Sequence, residues 1–403
     1  MNNSLCAYPF VHSHVSAKYE RKLCCVAKPI PDMDKSSTED YWNSDYVKQA
    51  RLDMIAGKEL DACSFCYEYE KAGITSLRQQ VTEAHDIESL VSLTKEDGTL
   101  DSLPSFFDYR TITCNLQCTT CDDDNSSKHV PLVKELLGKQ VTHRIDSNYE
   151  QQLSEEIIAG LQNKTVSKIY WAGGEPMLMR MHWNVIEEME RLYEKPEYTD
   201  YIKDIVLFYN ANMTRAYWKG RLIPKILAKF NVTIWASIDG VAETFEYCRD
   251  GAKWEQVKNN WLIYKQHIPK TAVTAVLSAP VLMDIDRFLE FFETHGTTMF
   301  NHQYVPNEYK NLLDVRLYPK ELFDKIINHA IERIEQTTLA GKEYTLSILQ
   351  MYIKERFEDV DYVDIKRQIM RRDKFLKNSE SFELLLEQLD SEVSDWYKSI
   401  TVD

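Results

Sequence analysis

Three cysteines fall in the stretch "TITCNLQCTTCDDD", at Cys114, Cys118 and Cys121, separated by three and then two residues. Thiols this close together in one loop are suited to binding a metal centre. A structural zinc ion takes four closed ligands, commonly two CxxC pairs or one pair with histidines. This loop offers three thiols, with Asp122 directly after them. Three thiolates suit a [4Fe–4S] cluster with one iron left open to a further ligand. The spacing therefore favours an open cluster that does chemistry, with zinc as the alternative.

Four more cysteines precede this loop, Cys24 and Cys25 side by side and Cys63 and Cys66 in "CSFC". They read as a second metal site, either a small zinc knuckle or another Fe–S cluster. Adjacent cysteines seldom both ligate one metal, so one of the pair is a bystander if Cys6, His12 or His14 supplies the fourth ligand. Cys248 stands alone beside Arg249 and reads as a small buried hydrophobe.

The chain has no run of 18 apolar residues, and its first residues form neither a basic nor an apolar leader, so a cytoplasmic location is expected. Thiols stay reduced there, and nine cysteines then argue for metal rather than disulfides. With 48 basic and 63 acidic residues the net charge is −15, a surface that phosphate backbones repel, so nucleic acid is set aside as the main partner. Only "KRQIMRRDKFLK" (366–377) is a basic run, read as a solvated helix face. Apolar residues make up 44% and charged ones 28%, the balance of a globular chain with a substantial core.

The cysteines need a scaffold, and the pattern from about 106 to 305 supplies one. Strands are predicted at 106–112, 167–173, 205–210, 232–238, 271–277 and 298–305, with helices between them such as "NYEQQLSEEIIAGLQ" and "MHWNVIEEMERLYE". Strict alternation implies a parallel sheet with right-handed crossovers. Six units predict an α/β fold, a partial (β/α)6 TIM-like barrel whose chemistry sits at the C-terminal strand ends. The expected organisation is a loop-rich cysteine segment over 1–95 with one short helix in "YVKQARLDMIAGKEL", the barrel over 96–310, and a helical extension over 311–403. In that extension Phe323, Ile327, Ala330, Ile331 and Ile334 recur at helical spacing.

CxxxCxxC after the first strand, with "WAGGEPML" closing the second, resembles the radical S-adenosylmethionine (radical SAM) superfamily. The resemblance implies that Cys114, Cys118 and Cys121 hold a [4Fe–4S] cluster and that the amino and carboxylate groups of SAM chelate its open iron. Reductive cleavage then yields methionine and a 5′-deoxyadenosyl radical that abstracts a substrate hydrogen. The implied SAM contacts lie at successive strand ends. Gly173, Gly174, Glu175 and Pro176 form the Gly-Gly-Glu-Pro turn, and Glu175 is to accept the SAM ammonium. Asn210 and Asn212 are to face ribose hydroxyls, Ser237 and Asp239 close the fourth strand, and Arg249 is to pair with the carboxylate. Many members carry an aromatic residue before the third cysteine, where this chain has Thr120.

The N-terminal stretch is similar to the auxiliary-cluster segment of the SPASM/twitch branch, which implies a second Fe–S cluster on Cys24, Cys25, Cys63 and Cys66. Most such segments follow the barrel, whereas this one precedes it, an order that resembles the twitch domain-containing radical SAM proteins, many of them encoded by tailed phages. A peptide or protein substrate is implied first and a small molecule second, with an electron donor such as flavodoxin or ferredoxin. The competing reading is a non-catalytic Fe–S or zinc-binding interaction protein.

Overall fold

Five of the six predicted runs form strands close to their expected places, most of them shorter. The structure, a computed structural model, describes residues 4–71, 73, 75–138, 140, 145–302, 313–357, 359–376 and 381–402. The chain divides into two compact units, Met1–Ile112 with His143–Phe208 and Lys229–Asn231, and Thr113–Thr142 with Tyr209–Ala228 and Val232–Asp403.

The first unit contains β1 (His12–Val15), β2 (Arg21–Lys22), β3 (Phe106–Tyr109), β4 (Lys168–Trp171) and the first half of β5 (Val206–Ala211), in the order β2-β1-β3-β4-β5. β1 runs antiparallel to β2 and parallel to β3, with His14 opposite Asp108, and β3 runs parallel to β4. Every residue of β1 and β3 is buried, the pattern of strands covered on both faces. Helices Ser147–Gln162 and Arg180–Tyr193 match the two predicted ones. Leu153, Ile157 and Leu161 of the former, and Val185, Met189 and Leu192 of the latter, form the buried stripes.

The N-terminal segment is not loop-rich. It carries β1, β2 and the helices Tyr8–Val11, Thr38–Trp42, Asp45–Ile55, Ser64–Lys71, Leu77–Glu83 and Ile87–Ser92. Ser37, Ser44 and Ser76 each cap a helix by accepting from a backbone N–H three residues on. Ser76 and Gln79 complete a capping box. β1, "HSHV", lacks apolar alternation because its polar side chains are paired in the interior. The Ser13 hydroxyl lies 3.0 Å from that of Tyr109, Arg21 donates to Ser13 at 2.9 Å, and His14 meets Asp108 at 3.0 Å.

The second unit orders its strands β5-β8-β9, after a two-residue hairpin of β6 (Tyr217–Trp218) and β7 (Arg221–Leu222) that turns through Lys219 and Gly220, both at positive φ. β8 (Asn231–Ser237) and β9 (Thr271–Thr274) are parallel, with Ser237 opposite Thr274. The predicted strand 298–305 is reduced to isolated parallel bridges, Val273 to Met299 and Val276 to His302; residues 303–305 lie outside the described ones. Alternate residues of β8 are fully buried, while Trp235 and Ser237 stand on a half-open face where Trp235 stacks on Phe300 at 4.9 Å.

The C-terminal part is helical, with Lys320–Gln336, Lys342–Lys354, Tyr362–Asp373, Phe382–Leu389 and Ser391–Ser399. Leu322 and Ile326 join the predicted stripe of the first helix, and Ile331 is only half-buried. The basic run is not a solvated face throughout. Lys366 is buried and donates to the Tyr397 carbonyl at 2.7 Å, and Arg372 is buried against the Tyr247 hydroxyl. Two of its charges are thereby turned inward. Among the described residues no helix is long and apolar enough to cross a membrane.

Candidate functional site

In the second unit the loop with Cys114, Cys118 and Cys121 leads into a short helix, Val130–Leu137. The loop has little regular structure, so other segments fix it. Gln117 N–H donates to the Asp250 carbonyl at 2.9 Å and Thr119 N–H to the Cys248 carbonyl at 2.8 Å. Gly251 turns the chain beside Asn115 and Leu116 at φ +97°, a conformation that favours glycine. Asn115 is held by Asn212, which donates to its side-chain oxygen at 3.1 Å, and itself donates to Thr214 at 3.1 Å. Thr214 closes the triangle by donating to Asn212 at 2.7 Å.

Asn212 thus braces the thiol loop through Asn115. Asn210 and Ser237 are half-buried at the ends of their strands. Asn115 and Thr214 belong to the site and were missed. Their signal, an Asn directly after the first cysteine and a Thr in "NANMT" at a strand end, is too common to single out.

Asp239 is fully buried. One oxygen accepts from Val276 N–H at 2.8 Å, and the other pairs with Arg249 Nε at 2.8 Å. The Arg249 guanidinium reaches Cys118, with Nη1 at 3.8 Å from Sγ. Arg249, expected to meet a ligand carboxylate, is therefore aimed at a thiol and anchored by Asp239. Cys118 itself is buried, and burial pushes its thiol up to about 12 against the pull of Arg249. Such a thiol is no nucleophile at neutral pH. A neighbouring cation gives it a place to carry charge once a metal binds. His302, which sequence reasoning passed over, lies close enough for its protonation to respond to Asp239 and Arg249, and burial pushes it down.

Gly240 turns the chain after Asp239 at φ +87°, where a Cβ would meet Thr244 Cγ2 at 2.5 Å, so this glycine is required. Removing the fully buried Asp239 leaves Arg249, whose side chain is only 14% exposed, without its carboxylate. Asp239→Ala is expected to cost about 3–5 kcal/mol, read as a lowered urea midpoint of the metal-free protein. An unchanged midpoint would show that the pair contributes nothing.

In the first unit Gly173 and Gly174 turn at φ +73° and +49° after β4. Glu175 is 1% exposed and caps the next turn by accepting from Met177 N–H at 3.0 Å, so at least one of its oxygens has a structural task. Pro176 opens that turn.

The N-terminal cysteines sort themselves. Cys6, Cys24, Cys63 and Cys66 line one pocket, together with Tyr8, Leu77 and Arg78. Burial pushes Cys6 and Cys63 up to about 12. Burial pushes the Cys66 thiol up as well, against the pull of the nearby Arg78 backbone and Ser76. Cys25 does not line the pocket, and burial pushes its thiol up, with Arg110 pulling it down and Asp108 pushing it up. Its side chain leaves the pocket because the Cβ vectors of consecutive residues diverge, and Cys6 takes the fourth position.

Among the described residues, one trio of potential ligands has its donor atoms all within 4.8 Å of one another, namely His12, His14 and Asp108. Both Asp108 oxygens already accept from Arg110 at 2.9 Å, and a dication would sit beside that guanidinium. The trio is a buried polar network, not a metal site.

No protein-family model matches the chain, and no curated protein does. Solved structures that resemble it include SuiB of Streptococcus suis bound to S-adenosylmethionine, at 15% identity over 73% of this chain and TM-score 0.38. This chain spans 65% of the length of SuiB. Another is anSMEcpe with bound AdoMet, at 17% identity over 55% of this chain and 57% of the other, with TM-score 0.35.

Proposed function

We propose that this chain is a radical SAM enzyme with two Fe–S clusters, one on Cys114, Cys118 and Cys121 with an open iron, and one closed by four thiolates. The observation that carries the reading is the CxxxCxxC loop itself, braced at strand ends with a half-buried cation aimed at its central sulfur.

When bound, the SAM-binding cluster supplies a one-electron reduction of the sulfonium, which breaks a C–S bond to give methionine and a 5′-deoxyadenosyl radical. The chain's own residues do the rest. Arg249 stabilises charge at Cys118, and Asp239 keeps the guanidinium in place. Asn115, Asn212 and Thr214 hold the loop at one geometry. Gly173 and Gly174 permit close approach of backbone to SAM, and Asn210 and Ser237 offer hydrogen bonds from strand ends.

Cys6, Cys24, Cys63 and Cys66 hold the second cluster, with Cys25 a bystander. Four protein ligands leave no iron open, which suits electron relay rather than substrate binding. The expected organisation stands as part of this reading: auxiliary segment 1–95, partial barrel 96–310 and helical buttress 311–403. So do a flavodoxin- or ferredoxin-type donor and a peptide or protein substrate, carried by the likeness of the N-terminal cysteines to SPASM/twitch segments. Anaerobic reconstitution with iron and sulfide counting tests the reading. About eight irons per chain are expected; bound zinc and no iron would overturn it.

A further inference from the structure

We propose that the C-terminal helix Tyr362–Asp373 is the outer wall of the central cysteine loop, and that Arg372 is the residue positioning it there. The proposal deepens the radical SAM reading above by giving part of the helical buttress a task at that site.

The helix and the loop both belong to the second unit. A small pocket joins them, lined by Cys118, Thr119 and Cys121 of the loop, Leu132 of the helix that follows it, and Arg372 and Phe375 of the extension. Cys114 does not line it. Two neighbouring arginines hold the wall in place. Arg371 is exposed, and its Nη2 donates to the carbonyls of Glu135 at 3.0 Å and Leu136 at 3.4 Å. These lie in the last turn of the helix Val130–Leu137, where the helix itself supplies no donors and its dipole favours a cation.

Arg372 is buried. It donates to the Tyr247 hydroxyl and, at 3.2 Å, to Asp373, and its guanidinium carbon lies 4.9 Å from the Tyr247 ring centroid. Tyr247 directly precedes Cys248, whose carbonyl accepts from Thr119 N–H at 2.8 Å and from the Thr119 hydroxyl at 3.3 Å. Asp373 also accepts from Phe382 N–H at 2.8 Å, which ties the helix Phe382–Leu389 to the same point. Arg372 thus meets the loop twice, across the pocket and through Tyr247. Apolar packing alone would let the helix slide over the loop, whereas a guanidinium bonded at fixed points does not. Arg372 and Phe375 limit the water that reaches Cys118 and Cys121, and solvent access is one of the factors that set the potential of an Fe–S centre.

Iodoacetamide labelling of the metal-free protein, read residue by residue by mass spectrometry, tests this. In Arg372→Met, labelling of Cys118 and Cys121 is expected to rise about tenfold, the effect of one lost charge-assisted hydrogen bond on a local opening. Cys114 is expected to keep its wild-type rate. Equal rises at all three cysteines would show general loosening and overturn the proposal, as would wild-type labelling at Cys118 and Cys121. If Arg372→Met does not fold, Arg371→Ala takes its place, at an exposed position, with a smaller rise of about threefold at the same two cysteines. In the reconstituted protein with a ferrous chelator, label should reach Cys118 and Cys121 about tenfold faster in Arg372→Met than in wild type, with Cys63 unchanged. Equal rates there would likewise overturn the proposal. Cys114, Cys118 and Cys121 labelled as fast in reconstituted wild type as in the metal-free protein would overturn the radical SAM reading, whereas the metal-free comparison alone decides whether the helix walls the loop.

Discussion

In Cys118→Ala, 5′-deoxyadenosine formation should fall to background, and iron should drop from about eight to about four per chain. Cys118 is the buried member of the trio, whereas Cys114 and Cys121 are half-exposed. It is also the one facing Arg249, at 3.8 Å. Without it two thiolates remain for a cluster that needs three. The guanidinium then points at a methyl group, although Asp239 still satisfies it. The fold should therefore survive, since replacing a small buried thiol by Ala costs about 1 kcal/mol. Iron loss with a near-normal melting temperature in the metal-free protein would show a ligand role. Serine should fail as well, because its hydroxyl does not ionise at neutral pH. Full iron content and turnover in Cys118→Ala would remove this loop from the chemistry.

The second large effect separates two cysteines that the sequence left open. Cys6→Ala should lose the second cluster, lowering iron from about eight to about four, while Cys25→Ala should keep it. Cys6 lines the pocket with Cys24, Cys63 and Cys66, and its thiol responds to Cys63 and Cys66. Cys25 responds to Arg110, Asp108 and Lys22 instead. SAM should still bind in both variants, because the central loop is intact. Iron loss in Cys25→Ala and not in Cys6→Ala would reverse the assignment.

Why one of these cysteines was legible and the other not follows from what spacing encodes. Cys114, Cys118 and Cys121 sit in one short loop, so chain connectivity alone brings them together. Cys6 is far in sequence from Cys63 and Cys66, and only the helices Tyr8–Val11 and Leu77–Glu83 and the packing around them put it in the pocket. The central strands were readable because Val, Ile, Tyr and Trp fill them, as in "IVLFYN" and "VTIWASI". β1 was not, since "HSHV" earns its place through buried hydrogen bonds to residues distant in sequence, Tyr109 and Asp108.

The polar residues expected at strand ends carry structural bonds that the sequence did not announce. Asp239, Asn212 and Glu175 were expected to face a ligand. The structure gives Asp239 to Arg249, Asn212 to Asn115, and one Glu175 oxygen to Met177 N–H. A sequence shows which groups can bond, whereas burial decides that they bond first to the protein. The basic run at 366–377 teaches the same lesson, with Lys366 and Arg372 turned inward by Tyr397 and Tyr247.

The most direct test of the central claim is product formation by anaerobically reconstituted wild-type protein with SAM, with and without dithionite. The account predicts 5′-deoxyadenosine and methionine in equal amounts, formed only when the reductant is present and absent in Cys118→Ala. An iron-loaded protein that binds SAM yet releases no 5′-deoxyadenosine under reduction would contradict it.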